Sequence, residues 1–188
     1  MLRSLIAGLA LVALSASMAG ATGTTVYYRL YHMEGSSWVQ YYANDPFPPG
    51  GNVSGTNRWR YSYEVDNVSA PGPVNTVYVF FNSDGVRHSD YPAVGTGAPG
   101  GWNYLYMAPP SGSQAWRERF RGLSAPIPVG GGLTGFHVDF TWDDPVLPGP
   151  QPFDSQTALG SETGTTIPVK KDVPVAAGTW GQLRKSYR

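Results

Sequence analysis

Hydrophobic and polar residues alternate one by one along several segments of the chain. In residues 58–66 (RWRYSYEVD) every second residue is apolar or aromatic, and the residues between them are charged or hydroxylated. Residues 136–142 (FHVDFTW) repeat this alternation. Because successive side chains of a strand point to opposite sides of a sheet, the pattern predicts strands with one buried and one solvent-facing side. The residues predicted to be buried are Trp59, Tyr61, Tyr63, Val65, Phe136, Val138, Phe140 and Trp142.

Further strands are predicted at residues 25–31, 38–42, 75–82, 102–107 and 114–121. Residues 76–81 (TVYVFF) are apolar on both faces, which is typical of a central strand. Clusters rich in Gly, Pro, Ser and Asn separate the strands, and the chain has 24 Gly and 17 Pro. Short strands divided by turns indicate an all-β fold, a single antiparallel Ig-like β-sandwich of seven to nine strands.

This domain is expected to span residues 22–168, with no second domain. Within it, residues 143–152 (DDPVLPGPQP) predict a crossover or rim loop, because proline cannot donate to a central ladder. No helical pattern is found before Thr179. In the expected tail, residues 169–188, a short helix is predicted with Trp180, Leu183 and Tyr187 on one face.

The first 21 residues have the features of a secretory signal peptide. Arg3 precedes an apolar run from Leu5 to Leu14, and the segment ends in Ala19-Gly20-Ala21, an A-x-A cleavage pattern. The run is too short for a permanent membrane anchor. We therefore expect a mature chain that begins at Thr22, has no transmembrane anchor, and is secreted to the extracellular space or the cell surface.

Composition narrows the function classes. The chain has 13 basic and 13 acidic residues, so no broad basic field is available to hold nucleic acid. It has no cysteine, which excludes thiolate metal sites and cysteine nucleophiles. An exported domain without disulfides must be stabilised by its core, and a chain of this length is large enough for that.

No catalytic constellation is evident, so we expect a protein that is not an enzyme. The histidines lack metal-ligand spacing, no G-x-S-x-G pattern occurs, and the glutamates are scattered. His137 and Asp139 are expected to form a solvated pair on the outward side of their strand. The one cofactor considered is calcium, with candidate oxygen ligands at Asp84 and at Asp143 and Asp144. The alternative is that these acids are ordinary solvated loop residues.

Two groups of residues are candidates for ligand binding. Arg117, Arg119 and Arg121 alternate along one strand and share one face, from which they could bind a sulfate, uronate or phosphate polymer. The alternative is that charge on an exposed or edge strand prevents aggregation.

The second group is aromatic. The chain has more aromatic residues than a core of this size needs, which suggests a carbohydrate-binding surface that includes Tyr41, Tyr42 and Trp102. Cross-strand aromatic pairs that stabilise the sheet without any ligand are the alternative.

A resemblance to a known class of proteins covers residues 57–166. Residues 131–153 (GGLTGFHVDFTWDDPVLPGPQPF) resemble a recurring element of bacterial secreted proteins with PEP-CTERM-type anchors, in which a G-F-x-V-x-F-x-W strand is followed by a Pro/Gly loop ending in Q-P-F. Residues 59–69 (WRYSYEVDNVS) and 98–102 (APGGW) are similar to two further elements of that class. The resemblance implies a β-sandwich of an exported surface or matrix protein, and it supplies no catalytic residues that could be carried over to this chain.

One departure from this class lies at the C-terminus. The ending TWGQLRKSYR has neither a Pro-Glu-Pro motif nor an apolar helix, so anchoring by that sorting route is not expected. The leading hypothesis is a non-enzymatic structural or adhesion protein outside the cell, with an extracellular protein or polysaccharide as partner. The second hypothesis is a carbohydrate-binding module.

Overall fold

The chain folds into eleven strands, and no helix, within the residues covered by the computed structural model, which describes 23–48, 57–81, 95–107, 117–142 and 146–171. The strands are β1 (Thr24–Glu34), β2 (Ser37–Tyr41), β3 (Arg58–Asn67), β4 (Thr76–Phe80), β5 (Gly95–Gly97), β6 (Trp102–Met107), β7 (Arg117–Gly122), β8 (Gly131–Thr141), β9 (Pro152–Thr157), β10 (Gly160–Thr165) and β11 (Ile167–Pro168).

The strands form two sheets that pack face to face. The first sheet has the order β11-β1-β3-β8-β5, with β2 paired to β1, and the second has the order β10-β9-β4-β7-β6. All pairings are antiparallel except that of β1 with β11, which is parallel and aligns Tyr27 with Ile167. The β-sandwich prediction is therefore confirmed. In the described ranges nine strands have at least five residues, and β5 and β11 are shorter additions.

The core lies between the sheets and is dominated by aromatic rings. The eight residues predicted to be buried from the alternation are at most 2% exposed. On β3 and β8, the Tyr61 and Phe140 rings stack with centroids 5.0 Å apart. On β7, Phe120 contacts Phe136 of the opposite sheet at 5.2 Å between centroids. Aromatic pairs of this geometry add to the free energy gained from area burial alone.

Strand β4 occupies the centre of the second sheet, as predicted. Its inner face is buried, whereas Tyr78 and Phe80 on its outer face are half-buried. The β9/β10 hairpin was not predicted. Residues 160–165 (GSETGT) are polar and four of the six are exposed. Their sequence therefore lacks the apolar alternation that marks the other strands.

The predicted crossover loop joins the two sheets, since residues 146–151 connect β8 of the first sheet to β9 of the second. Buried hydroxyl and indole groups hold it. Tyr61 donates to the carbonyl of Gly149 at 2.8 Å, and the Trp142 indole donates to that of Val146 at 2.6 Å. The main-chain amide of Gln151 donates to the Thr166 hydroxyl at 2.8 Å. The proline-rich segment is thus a fixed connection between the layers.

Asn67 ends β3 and fastens two loops to it. Its side chain is fully buried, and its amide nitrogen donates to the carbonyls of Gly72 and Ile127, both at 3.0 Å. Its amide oxygen accepts from the main-chain nitrogen of Ala70 at 3.1 Å. This one side chain therefore binds three main-chain groups, of which the Ala70 amide and the Ile127 carbonyl also pair with main-chain groups of Gly23 and Val74.

We expect Asn67→Ala to lower the free energy of unfolding by about 2 kcal/mol, because it removes three buried hydrogen bonds between this side chain and the main chain. Urea denaturation of the variant and of the parent chain measures the difference. Asn103→Ala is the control, since Asn103 is exposed on β6. Equal stability of the two variants would contradict this assignment.

Candidate functional site

The three arginines lie on the outer face of the second sheet. Along β7 they alternate with the fully buried Glu118 and Phe120, which point into the core. The predicted sharing of one face by Arg117, Arg119 and Arg121 is therefore confirmed. Alternate residues of a strand are about 7 Å apart, so the guanidinium groups start from evenly spaced backbone positions.

Strand pairing places Tyr78 at the centre of this face. Tyr78 of β4 is aligned with Arg119 on one side and with Asp154 of β9 on the other. Thr76, two residues before Tyr78 on the same strand, is aligned with Arg121 and with Gln156. We call this surface the arginine face and define it by Tyr78, Arg117, Arg119, Arg121 and Gln156.

A depression of about 370 Å³ opens in the arginine face. The residues that line it are rich in hydrogen-bond donors: Asn75, Thr76, Tyr78, Arg119, Arg121, Gly122 and Gln156. The Nε of Arg119 is shielded from solvent and has no hydrogen-bond partner among the described residues. A shielded N–H group without a partner is unfavourable, so an acceptor atom on a bound ligand would stabilise it.

Positive charge dominates the arginine face. Arg117 stacks its guanidinium on Tyr78, 5.0 Å from the ring centroid, and this contact fixes its position. None of the three arginines forms an ion pair with a carboxylate of the described residues. The nearby acid is Asp154, whose pKa is raised by burial, while a hydrogen bond from Gln156 and the charge of Arg117 act in the opposite direction. The face can therefore bind anionic groups without first breaking an internal ion pair.

Tyr41 and Tyr42 belong to a different part of the molecule. Tyr41 lies on β2 of the first sheet, where its ring packs against Trp59 at 5.7 Å between centroids and its hydroxyl donates to Glu34 at 2.6 Å. Burial and this hydrogen bond raise the pKa of Tyr41 to about 12. The ring of Tyr42 lies 5.3 Å from the Lys171 ammonium. Tyr41 lies on the first sheet, Tyr42 directly follows it, and the arginines lie on the second sheet, so these residues do not form one surface.

Trp102 is 7% exposed and packs edge-on against Phe136, with centroids 5.0 Å apart. Its indole nitrogen donates to the carbonyl of Ala125 at 2.7 Å. The expectation that Trp102 contributes to an exposed aromatic surface is therefore wrong, because its ring and its polar atom are both used inside the fold.

The predicted calcium ligands Asp84, Asp143 and Asp144 lie outside the described residues. Within the described part of the chain, no group of three or more acidic or histidine side chains is arranged to hold a metal ion. Calcium binding through these aspartates stays a prediction.

His137 and Asp139 are not the solvated pair that was expected. Asp139 is 5% exposed and accepts two hydrogen bonds from Arg60 of the neighbouring strand, at 2.5 and 2.8 Å. The cause is strand pairing, which places Arg60 directly opposite Asp139. The pKa of His137 is lowered, chiefly by burial and also by the charge of Arg60.

Glu118 is a carboxyl group fully buried between the sheets. One of its oxygens accepts from the Thr96 hydroxyl at 3.2 Å, and the other has no hydrogen-bond partner among the described residues. Burial raises the pKa of Glu118 from an ordinary 4.5 to about 7. The inner side of β7 thus carries an acid that is costly to ionise.

The comparisons with known proteins gave no relative of this chain. No protein-family model, no curated protein and no solved structure matches it. The fold itself defines the class of the protein, a two-sheet β-sandwich with an arginine-rich outer face. In the described residues there is no helix with the length and hydrophobicity that a membrane crossing requires.

Proposed function

We propose that this chain is a non-enzymatic, secreted adhesion-type protein that binds an acidic polysaccharide through the arginine face. The observation that carries the proposal is the set of three guanidinium groups without carboxylate partners among the described residues, on one solvent-facing side of the second sheet. Sulfate and carboxylate groups match such donors, because guanidinium–anion hydrogen bonds are charge-assisted and often bidentate.

The order of the strands supports ligand binding over protection of a sheet edge. Charges placed to prevent edge-to-edge pairing are expected on edge strands. Strand β7 instead lies between β4 and β6, with partners on both sides. Its arginines therefore stand in the interior of the sheet's outer face, where protection of an edge does not require them.

The neighbours of the arginines support a saccharide as the ligand. Tyr78 and Phe80 provide half-buried aromatic rings beside the guanidinium groups, and Gln156 and Asn75 add neutral amide groups. Aromatic rings pack against the apolar faces of sugars, while amides bind hydroxyl groups. The resemblance to exported surface proteins and the signal-like N-terminus point to the same extracellular role.

We expect Arg119→Ala and Arg121→Ala each to weaken binding to a sulfated or uronate-rich polysaccharide about tenfold, the loss expected from one charge-assisted hydrogen bond. Calorimetric or interferometric titration with heparin and with alginate, at low and at physiological salt, measures the change. Arg58→Ala is the matched control, because it removes the same charge from the first sheet.

If Arg58→Ala weakens polysaccharide binding equally, the loss of affinity is due to the lower net charge alone. That result would contradict a defined binding face. Absence of binding to both polymers at low salt would contradict the proposed function itself. A robust hydrolytic activity on a polysaccharide or ester panel would contradict its non-enzymatic part.

A further inference from the structure

The outer face of the first sheet contains a second depression, of about 200 Å³. Its lining residues come from four strands: Tyr31, Trp38, Arg60, Ser62, Gly135 and His137. The arginine face belongs to the other sheet, so the two sites share no residue. We call this second site the Trp38 depression.

Small residues create the depression. Ser62 is aligned with His137, and Tyr31 with Arg60, so a short hydroxyl side chain lies among larger ones. The register of β3 against β8 shifts at Tyr63 and Glu64, where Gly135 has a φ of +99°. A bulge with a left-handed residue favours glycine, and the missing side chain leaves the floor open.

The side chains around this floor are held in place before any ligand binds. The guanidinium of Arg60 is bound by Asp139 on one side and lies 4.4 Å from the centroid of the Trp38 ring on the other. The His137 ring lies directly over Gly97, where an added Cβ would be 2.1 Å from its Cε1. Fixed side chains lose little conformational freedom on binding, which favours affinity.

The charges of the Trp38 depression nearly cancel. Arg60 is neutralised by the buried Asp139, and the lowered pKa of His137 keeps its imidazole uncharged at neutral pH. The groups left to face a ligand are hydroxyls, an imidazole and the aromatic rings of Tyr31 and Trp38. This chemistry differs from that of the arginine face, because it offers hydrogen bonds and ring surfaces without net charge.

We infer that the Trp38 depression is a second binding site, which takes one ring of a neutral saccharide. A sugar ring presents hydroxyl groups for Ser62 and His137 and an apolar C–H face for Tyr31 or Trp38. An anionic ligand is favoured less, since Arg60, the cation of the lining, is already paired with Asp139. The inference is independent of the proposed function, because it rests on the other sheet.

The test is a titration with the methyl glycosides of glucose, galactose, mannose and N-acetylglucosamine, followed by the NMR signal of the His137 Cε1 proton. We expect at least one glycoside to shift this signal with a dissociation constant of about 1 mM, in the range of weak small-ligand binding. Tyr31→Ala and Trp38→Ala are each expected to weaken the binding at least ~tenfold.

Tyr27→Ala is the matched control, because Tyr27 lies on the same face of β1 but does not line the depression. No shift with any of the four glycosides would overturn the inference, as would equal weakening by Tyr27→Ala and Tyr31→Ala. Arg119→Ala should leave glycoside binding unchanged. The proposal for this site and the proposal for the arginine face can therefore be contradicted independently of each other.

Discussion

Replacing Trp59 with alanine is expected to lower the free energy of unfolding by about 4 kcal/mol, the largest change that we predict. Trp59 is completely buried in β3. Its ring lies between those of His32, at 4.6 Å between centroids, and Phe47, at 5.8 Å. Truncation removes the apolar contacts and leaves a cavity that the rigid strands around it cannot close. Chemical denaturation followed by circular dichroism measures the loss.

Trp38→Ala is the matched control for this prediction. It deletes the same side chain from a half-buried position on β2, so its effect should be below ~1 kcal/mol. If Trp59→Ala does not fold, Trp59→Phe keeps a ring in the site and is expected to cost about 2 kcal/mol. A Trp59→Ala variant that is no less stable than Trp38→Ala would contradict the packing described for β3.

Replacing Glu118 with glutamine is expected to remove a pH dependence of stability worth about 3 kcal/mol. The pKa of Glu118 is about 7 in the folded chain and near 4.5 in an ordinary environment. Below pH 4.5 the carboxyl is protonated in both the folded and the unfolded chain, so its ionisation does not lower the free energy of unfolding. Between pH 4.5 and 7 the unfolded chain releases this proton while the folded chain keeps it, so stability declines across that range. Above pH 7 the carboxyl is ionised in both states and stability stays at the lower level.

The measurement is the free energy of unfolding at pH 4.5 and pH 8 for the parent chain and for Glu118→Gln. Other groups with shifted pKa values, including Asp66 and Asp154, titrate in both proteins and cancel in the comparison. Thr96 binds the Glu118 carboxyl, and Tyr63 lies near it. On the adjacent strands, Val79 and Tyr106 are aligned with Glu118. Parallel pH profiles for the two proteins would show that Glu118 is not the cause.

Much of the fold could be predicted from the alternation of residue types, because burial of one face imposes a period of two on a strand. On β3 and β8 this rule assigned the inner side chains correctly over their whole predicted length. It failed for β10, whose residues 160–165 are held by pairing with β9 and carry few apolar groups. A strand stabilised mainly by main-chain hydrogen bonds leaves little trace in side-chain hydrophobicity.

The sites were predicted less completely, because alternation gives the face of a residue but not its neighbours on adjacent strands. Arg119 was assigned to the correct side of β7, whereas the position of Tyr78 beside it depends on how β4 pairs with β7. Trp102 was misjudged for the same reason. The residues 102–107 (WNYLYM) have large apolar groups on both sides, so the sequence alone cannot tell which side is covered.

The parallel pairing of β1 with β11 defines the direction in which a pulling force on the two chain ends would act on this sheet. Strand β11 runs alongside β1 in the same direction, and the main-chain nitrogen of Val169 donates to Tyr28 at 2.9 Å. A force that draws the chain out before β1 and after β11 therefore slides one strand along the other. Such shear strains the contacts between the strands together, whereas peeling would break them one after another. The adhesion role proposed above would apply tension along the chain, and in this pair of strands such tension acts in the shear direction.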